Sequence, residues 1–206
     1  MTDWLAGGRT ELAAERILDA VRALVIDKGA GTVGMAEVAE AAGCSRATLY
    51  RYFANRQALY VAFAGREATQ LLARIWRDRR LDGPDRAELL LDGMTATLAE
   101  ARRTPHLAVW FEPANAGIVA RLSDSSEVID ELVAVSVTRL RPDLSAAAAD
   151  RLGRWAVRVM ISLLTLPPAT ADEERALLRD FLLPFLLGTA PAAGDPAAPG
   201  TATGRC

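Results

Sequence analysis

Residues 38–59 read VAEAAGCSRATLYRYFANRQAL, two short apolar-periodic segments hinged on Ala42-Gly43-Cys44. Met35, Val38, Ala39 and Ala42 recur at i, i+3, i+4 and i+7, which is one face of a helix, and Gly43 supplies its stop. Ser45 is a favoured N-cap, and the helix it opens sets Leu49 and Phe53 on one side. Two short helices joined through a glycine turn form a helix-turn-helix, with Cys44 packed in the small core between them. The outward face of the second helix then carries Arg46, Ala47, Thr48, Tyr50, Arg51 and Tyr52. Arginine pairs in bidentate fashion with guanine, Thr48 suits a base edge or a thymine methyl, and tyrosine hydroxyls and further arginines reach phosphates.

The surrounding sequence is helical as well. Upstream, Ile17, Leu18, Val21, Leu24 and Val25 mark one helix face, closed by Lys28-Gly29. Downstream, a helix from near Asn55 runs through Leu59, Phe63 and Leu71 towards Arg80. Asp82-Gly83-Pro84 is a turn before a helix through Leu90, Met94 and Leu98, which Thr104-Pro105 breaks. Pro105 and Pro113 bracket a short aromatic piece with Trp110 and Phe111. Asp124 with Glu127 reads as a capping box for a helix ending before Pro142, Ser145 starts another that reaches Leu166, and Thr170 with Glu173 opens the last. Pro184 is expected to bend or end that helix. With no alternating β-branched run, the expectation is an all-α chain of about nine helices. It divides into a helix-turn-helix domain (1–54), a helical regulatory and dimerisation domain (55–188) and a disordered tail (189–206).

Charge is distributed unevenly. The net charge is −2, yet the window 43–66 holds four arginines and no acid in a chain that is 24% charged. That makes a positive face on an acidic protein, as DNA docking requires. No apolar stretch reaches the roughly 18 residues of a membrane span, and residues 1–9 lack a signal-peptide pattern, so a cytoplasmic protein with no membrane partner is expected. Two cysteines make no disulfide framework. A single histidine, His106, excludes a multi-histidine metal site, and neither a cofactor nor enzyme activity is expected. Gly29 to Gly34 is a literal G-x-G-x-x-G, but it follows a helix instead of a strand, so the dinucleotide reading is rejected. The acidic run Asp172 to Glu174 is a helix start.

The run from Val38 to Phe53, with Ala54 to Leu59 after it, resembles the signature of the TetR family of regulators. The close match covers about residues 10–60. The resemblance implies base reading by Arg46 and Ala47 at the start of the recognition helix behind Ser45. It implies base-edge or backbone contacts for Thr48 and Tyr50, phosphate contacts for Arg51 and Tyr52, and a phosphate clamp at Arg56, where the helix dipole adds attraction. The chain departs from the pattern at Gly34 and Ala36, where the family often has a capping Thr or Ser and a basic residue.

The helix from Arg151 to Leu166 is apolar on two faces and must be buried twice, and the last helix repeats the feature. Two such helices from each of two subunits would form a four-helix interface as in the resembled family, through Leu152, Trp155, Val159, Leu163, Leu178, Phe181, Leu182 and Phe185. Burial of both helices within a monomer is the alternative. The resemblance also implies a sensor pocket for a small, apolar effector, with Trp76, Met94, Trp110, Phe111 and Met160 as candidate lining. The reading is therefore a homodimeric repressor that binds a palindromic double-stranded DNA operator and is released by an unidentified small molecule. A helical binding module that no longer reads DNA, and an all-α enzyme, are the alternatives.

Overall fold

The computed structural model describes residues 4–79, 81, 83–112, 115 and 127–189, and regular structure among the described residues is helical. Most of the expected tail, Pro113 and Asp124 lie outside them. Three helices form the N-terminal unit: α1 (Trp4–Lys28), α2 (Met35–Ala41) and α3 (Arg46–Tyr52). The long α4 (Arg56–Trp76) leads out of it to α5 (Arg86–Arg103), short α6 (Pro105–Ala108) and a 3₁₀ turn (Val109–Phe111). The chain continues through α7 (Glu127–Leu140), α8 (Ala146–Thr165) and α9 (Ala171–Leu177). A π-helical segment (Leu178–Leu182) then joins α9 to α10 (Leu183–Leu187).

The helix starts follow the sequence closely. The side chains of Ser45, Asn55, Ser145 and Thr170 each accept a hydrogen bond from the backbone N–H three residues on, satisfying a donor that the first turn leaves orphaned. Two stretches carry detail that the periodicity does not specify. The first helix begins at Trp4, well before its apolar stripe; residues 11–16 are mostly good helix formers that lead into that stripe. Pro184 does not stop the last helix. Its ring excludes the ordinary bond to the carbonyl four residues back, and the turn before it widens to π register, with the Leu183 N–H bonded to the Leu178 carbonyl.

Packing falls into two main clusters. The first joins Ile17, Val21 and Val25 of α1, Val38 of α2, Leu49 of α3, and Leu59, Tyr60 and Phe63 of α4 with Trp110. The second joins Leu90, Leu91, Met94 and Leu98 of α5 with Val137, Ala156, Leu163 and the last helix. Burying a Leu or Phe of this kind is worth about 1.5–3 kcal/mol. α4 belongs to the first cluster at one end and borders the second at the other, so any tilt of α4 is felt in both.

Candidate DNA-reading head and effector cavity

The turn between α2 and α3 is a Schellman closure. The Gly43 N–H bonds to the Glu40 carbonyl (3.0 Å) and the Cys44 N–H to the Ala39 carbonyl (2.9 Å), which requires the left-handed φ of +63° that Gly43 adopts. Arg16 of α1 adds a bond from Nη2 to the Ala42 carbonyl (3.3 Å), pinning the turn to the first helix. With the turn fixed, Leu49 is fully buried and Arg46, Ala47, Tyr50 and Arg51 stand exposed on the opposite face, while Thr48 and Tyr52 are half-buried. Ser45 serves first as a cap. Its Oγ accepts from the Thr48 N–H (3.0 Å) and lies 2.9 Å from Thr48 Oγ1, so both hydroxyls are engaged locally. The Arg51 guanidinium stacks over the Tyr52 ring at 5.4 Å.

Gly34 caps α2 without a side chain. Glu37 compensates: its Oε2 accepts from the Gly34 N–H (2.9 Å) and its Oε1 pairs with Lys28 Nζ (2.7 Å). This pairing holds the Glu37 carboxyl below its usual range and the Lys28 ammonium above its own. Gly29, Gly31 and Gly34 thus serve a loop between two helices, in keeping with the rejection of a dinucleotide site.

Arg56 is engaged within the head itself. Its Nη2 donates to the Gly31 carbonyl (2.6 Å) and its Nε to the Tyr60 hydroxyl (3.1 Å), so it staples the α1–α2 loop to α4. Tyr60 Oη lies 2.8 Å from the Ala30 carbonyl and 2.9 Å from that of Val33, its one proton shared between them, and burial raises its pKa. The Tyr60 ring in turn meets Trp110 edge-on, with centroids 5.0 Å apart.

Glu67 was not foreseen as a functional residue. It is 3% exposed and gathers three cationic or hydrogen-bonding partners. Its Oε1 accepts from Arg22 Nη2 of α1 (2.7 Å) and Arg66 Nη2 (3.0 Å), and its Oε2 lies 2.7 Å from His106 Nε2 of α6. Arg66 reaches on to Glu15 (2.9 Å) and Asp19 (3.0 Å). Burial, reinforced by the Arg22 and Arg66 charges, outweighs the Glu67 carboxylate and holds His106 below its usual pKa, so a neutral imidazole donates to Glu67. The signal was present in the sequence: Phe63, Glu67 and Leu71 share one face at i, i+4 and i+8, and a carboxylate on an apolar stripe needs a buried partner.

Between α4, α5, α7 and α8 lies a cavity of about 890 Å³. Trp76, Met94, Trp110, Phe111 and Met160 all line it. Trp110 is therefore common to the cavity wall and the core of the head, and its indole Nε1 donates to the His106 carbonyl (2.8 Å). Gly93 makes room for Trp76: a β-carbon there would lie 2.2 Å from the indole ring.

The face expected to meet a second subunit divides in two. Leu178 and Leu182, 0% and 1% exposed, and Leu163, also buried, lie in this subunit's own core. The expectation for these three is corrected: on a helix apolar all round, spacing does not distinguish the inner stripe from the outer. Phe181 at 64%, Phe185 at 48% and Trp155 at 40% exposure form the outer stripe, Trp155 and Phe185 in edge contact at 5.4 Å. Leu152 and Val159 are half-buried against the same core. Glu174, in the acidic run read as a helix start, is buried and ion-paired with Arg102.

Residues 17–63 match the family described as bacterial regulatory proteins, tetR family. The chain is 42% identical over 199 residues to the uncharacterized HTH-type transcriptional regulator Rv1255c of Mycobacterium tuberculosis, covering 97% of this chain and 98% of that one. It is 28% identical over 183 residues to the HTH-type transcriptional regulator AlkX of the same species, covering 84% and 85%. The crystal structure of the TetR family repressor AlkX from Dietzia sp., implicated in biodegradation of n-alkanes, superposes with a TM-score of 0.64 at 26% identity, covering 85% of this chain and 95% of that one. Similarity at this level along nearly the whole of both chains settles the family: the chain belongs to the TetR family of bacterial regulatory proteins and is a DNA-binding transcriptional regulator.

Proposed function

We propose that the protein is a homodimeric repressor that reads a palindromic operator through α3 and is released by a small, apolar molecule held in the cavity. The observation that carries this reading is the exposed, acid-free face of α3, with Arg46, Ala47, Tyr50 and Arg51 presented outward on a turn locked by Gly43. Arg46 and Ala47 read base edges, Tyr50, Arg51 and Tyr52 secure the phosphates, and Arg56 adds a phosphate contact beside the loop it staples. Ser45 and Thr48 shape the start of the reading helix. One such helix is too small for tight specific binding; two, spaced about 34–36 Å apart, read successive major grooves. The partner is a second copy of the chain, joined through Trp155, Phe181 and Phe185. The protein acts in the cytoplasm, where its operator lies.

Release follows from differential binding. An apolar guest against Trp110 and Phe111 favours one packing of the 3₁₀ turn over another, and the spacing of the two heads shifts with it. Trp110 leads to Tyr60, Arg56 and the α1–α2 loop; the helix that precedes it leads through His106 and Glu67 to Arg22 of α1. The Dietzia AlkX repressor, implicated in biodegradation of n-alkanes, is in keeping with a greasy effector. The test is stoichiometry and specificity together. Native mass spectrometry with a palindromic fragment selected from random DNA should give two chains per duplex, and Arg46→Ala should relax preference at one base pair per half-site, at about 1–3 kcal/mol. One chain per duplex, or an unchanged preference profile, overturns the docking.

A further inference from the structure

We propose that the effector is an amphipathic anion, with its apolar body along the inner wall of the cavity and its anionic group at the arginine end; this rests on the effector reading above and narrows it. Among the described residues the lining contains three guanidiniums, Arg77, Arg79 and Arg139, and no carboxylate, in a chain with 26 acidic against 24 basic side chains. Two of the arginines are neighbours in sequence, and each of the three follows or closes a helix. α4 lines the cavity from Val61 near the head to Trp76, and Arg77 and Arg79 lie just past its last turn. Arg139 is in the last turn of α7. Leu81 and Leu140, close to them in sequence, both pack on the same core cluster.

A helix C-terminus favours a cation by itself, which accounts for arginine at these positions but not for the missing acids. Elsewhere on this surface, Arg141, Arg154 and Arg175 each bridge to an aspartate or glutamate. Arg77 and Arg139 are exposed and form no ion pair among the described residues. Arg79 lies over the Trp76 ring at 6.0 Å, carrying positive charge onto the cavity wall itself. An apolar chamber that ends in unneutralised guanidiniums excludes a cationic guest by repulsion. It selects a carboxylate or phosphate head, which guanidinium binds in bidentate fashion.

The experiment uses the full chain at about pH 8, where a carboxylic acid is fully ionised. Straight-chain alkanoates of about 8 to 16 carbons are titrated beside alkan-1-ols and alkyltrimethylammonium ions of equal length, following tryptophan fluorescence, to which Trp76 and Trp110 of the cavity wall contribute. The alkanoate is expected to bind about tenfold tighter than the alcohol of equal length, with an advantage that shrinks as salt rises. Arg77→Gln, Arg79→Gln and Arg139→Gln together should bring acid and alcohol level, whereas Arg77→Lys, Arg79→Lys and Arg139→Lys together should keep a preference for the acid. Equal binding of acid and alcohol by the wild type, tighter binding of the cation, or an acid preference that survives the three glutamine substitutions overturns the anionic inference and leaves an apolar effector standing. If none of the three series binds at any length, the effector reading falls and this inference with it.

Discussion

Glu67 holds together groups from three helices: Arg22 of α1, its neighbour Arg66 and His106 of α6. Glu67→Gln keeps the volume and removes the charge, leaving guanidiniums without compensation. Breaking a buried ion pair on one side costs about 3–5 kcal/mol, and the lower end is expected because Arg66 keeps Glu15 and Asp19. Urea denaturation followed by circular dichroism measures it; a loss under about 1 kcal/mol would mean the cluster contributes little. His106 adds a pH dependence. Its folded-state pKa lies below its ordinary 6.5, so just below pH 6.5 the unfolded chain binds more protons than the folded one. Stability therefore falls as pH drops through that window. The wild type should lose stability more steeply than His106→Gln between pH 6.5 and about 5, and parallel slopes would contradict the assignment. At this scale the sequence was legible for side chains that face outward: Arg46, Tyr50 and Arg51 stand exposed on α3. It was less so inside, where the partners of Glu67 and Tyr60 come from helices tens of residues away.

Among the elements, α3 and the start of α4 divide reading from anchoring. Arg56→Ala should weaken binding to every DNA sequence and lower the salt slope by about 1 if its proposed phosphate contact is made; an unchanged slope would place Arg56 as a loop staple alone. The α4–α5 contact makes a separate prediction. Gly93→Ala drives a methyl group into the Trp76 indole, which must swing or force the helices apart, at about 1–3 kcal/mol for overpacking. Thermal melting should report that loss and tryptophan emission should shift; a variant with wild-type melting and emission would show that the contact yields freely. Helix limits followed from caps and glycine stops because those signals are local. The π segment before Pro184 was not legible: proline announces a broken bond but not whether the helix ends or widens, and that is decided by Leu178, Leu182 and Leu183 holding on to the second core.

For the whole molecule, the proposed dimer rests on the outer stripe of α8 and the last helix. Phe181→Glu puts a charge on the most exposed aromatic of that stripe and should weaken self-association by about 2–4 kcal/mol, the range of an interface hot spot. Sedimentation velocity over a concentration series reads the shift, and an unmoved dimer would place the interface elsewhere. Two apolar faces on one helix called for two burials, and spacing could not say which leucines turn inward; only the packed subunit separates Leu178 and Leu182 from Phe181 and Phe185. The decisive measurement is a fluorescence-anisotropy titration of the full chain against the DNA flanking its own gene, with a scrambled duplex as control, at several salt concentrations. The account predicts tight binding to the flanking DNA over the scramble, weakening steeply with salt as phosphate-bound counterions are released. Equal affinity for both duplexes with a flat salt response would contradict it and would leave a helical module that does not read DNA.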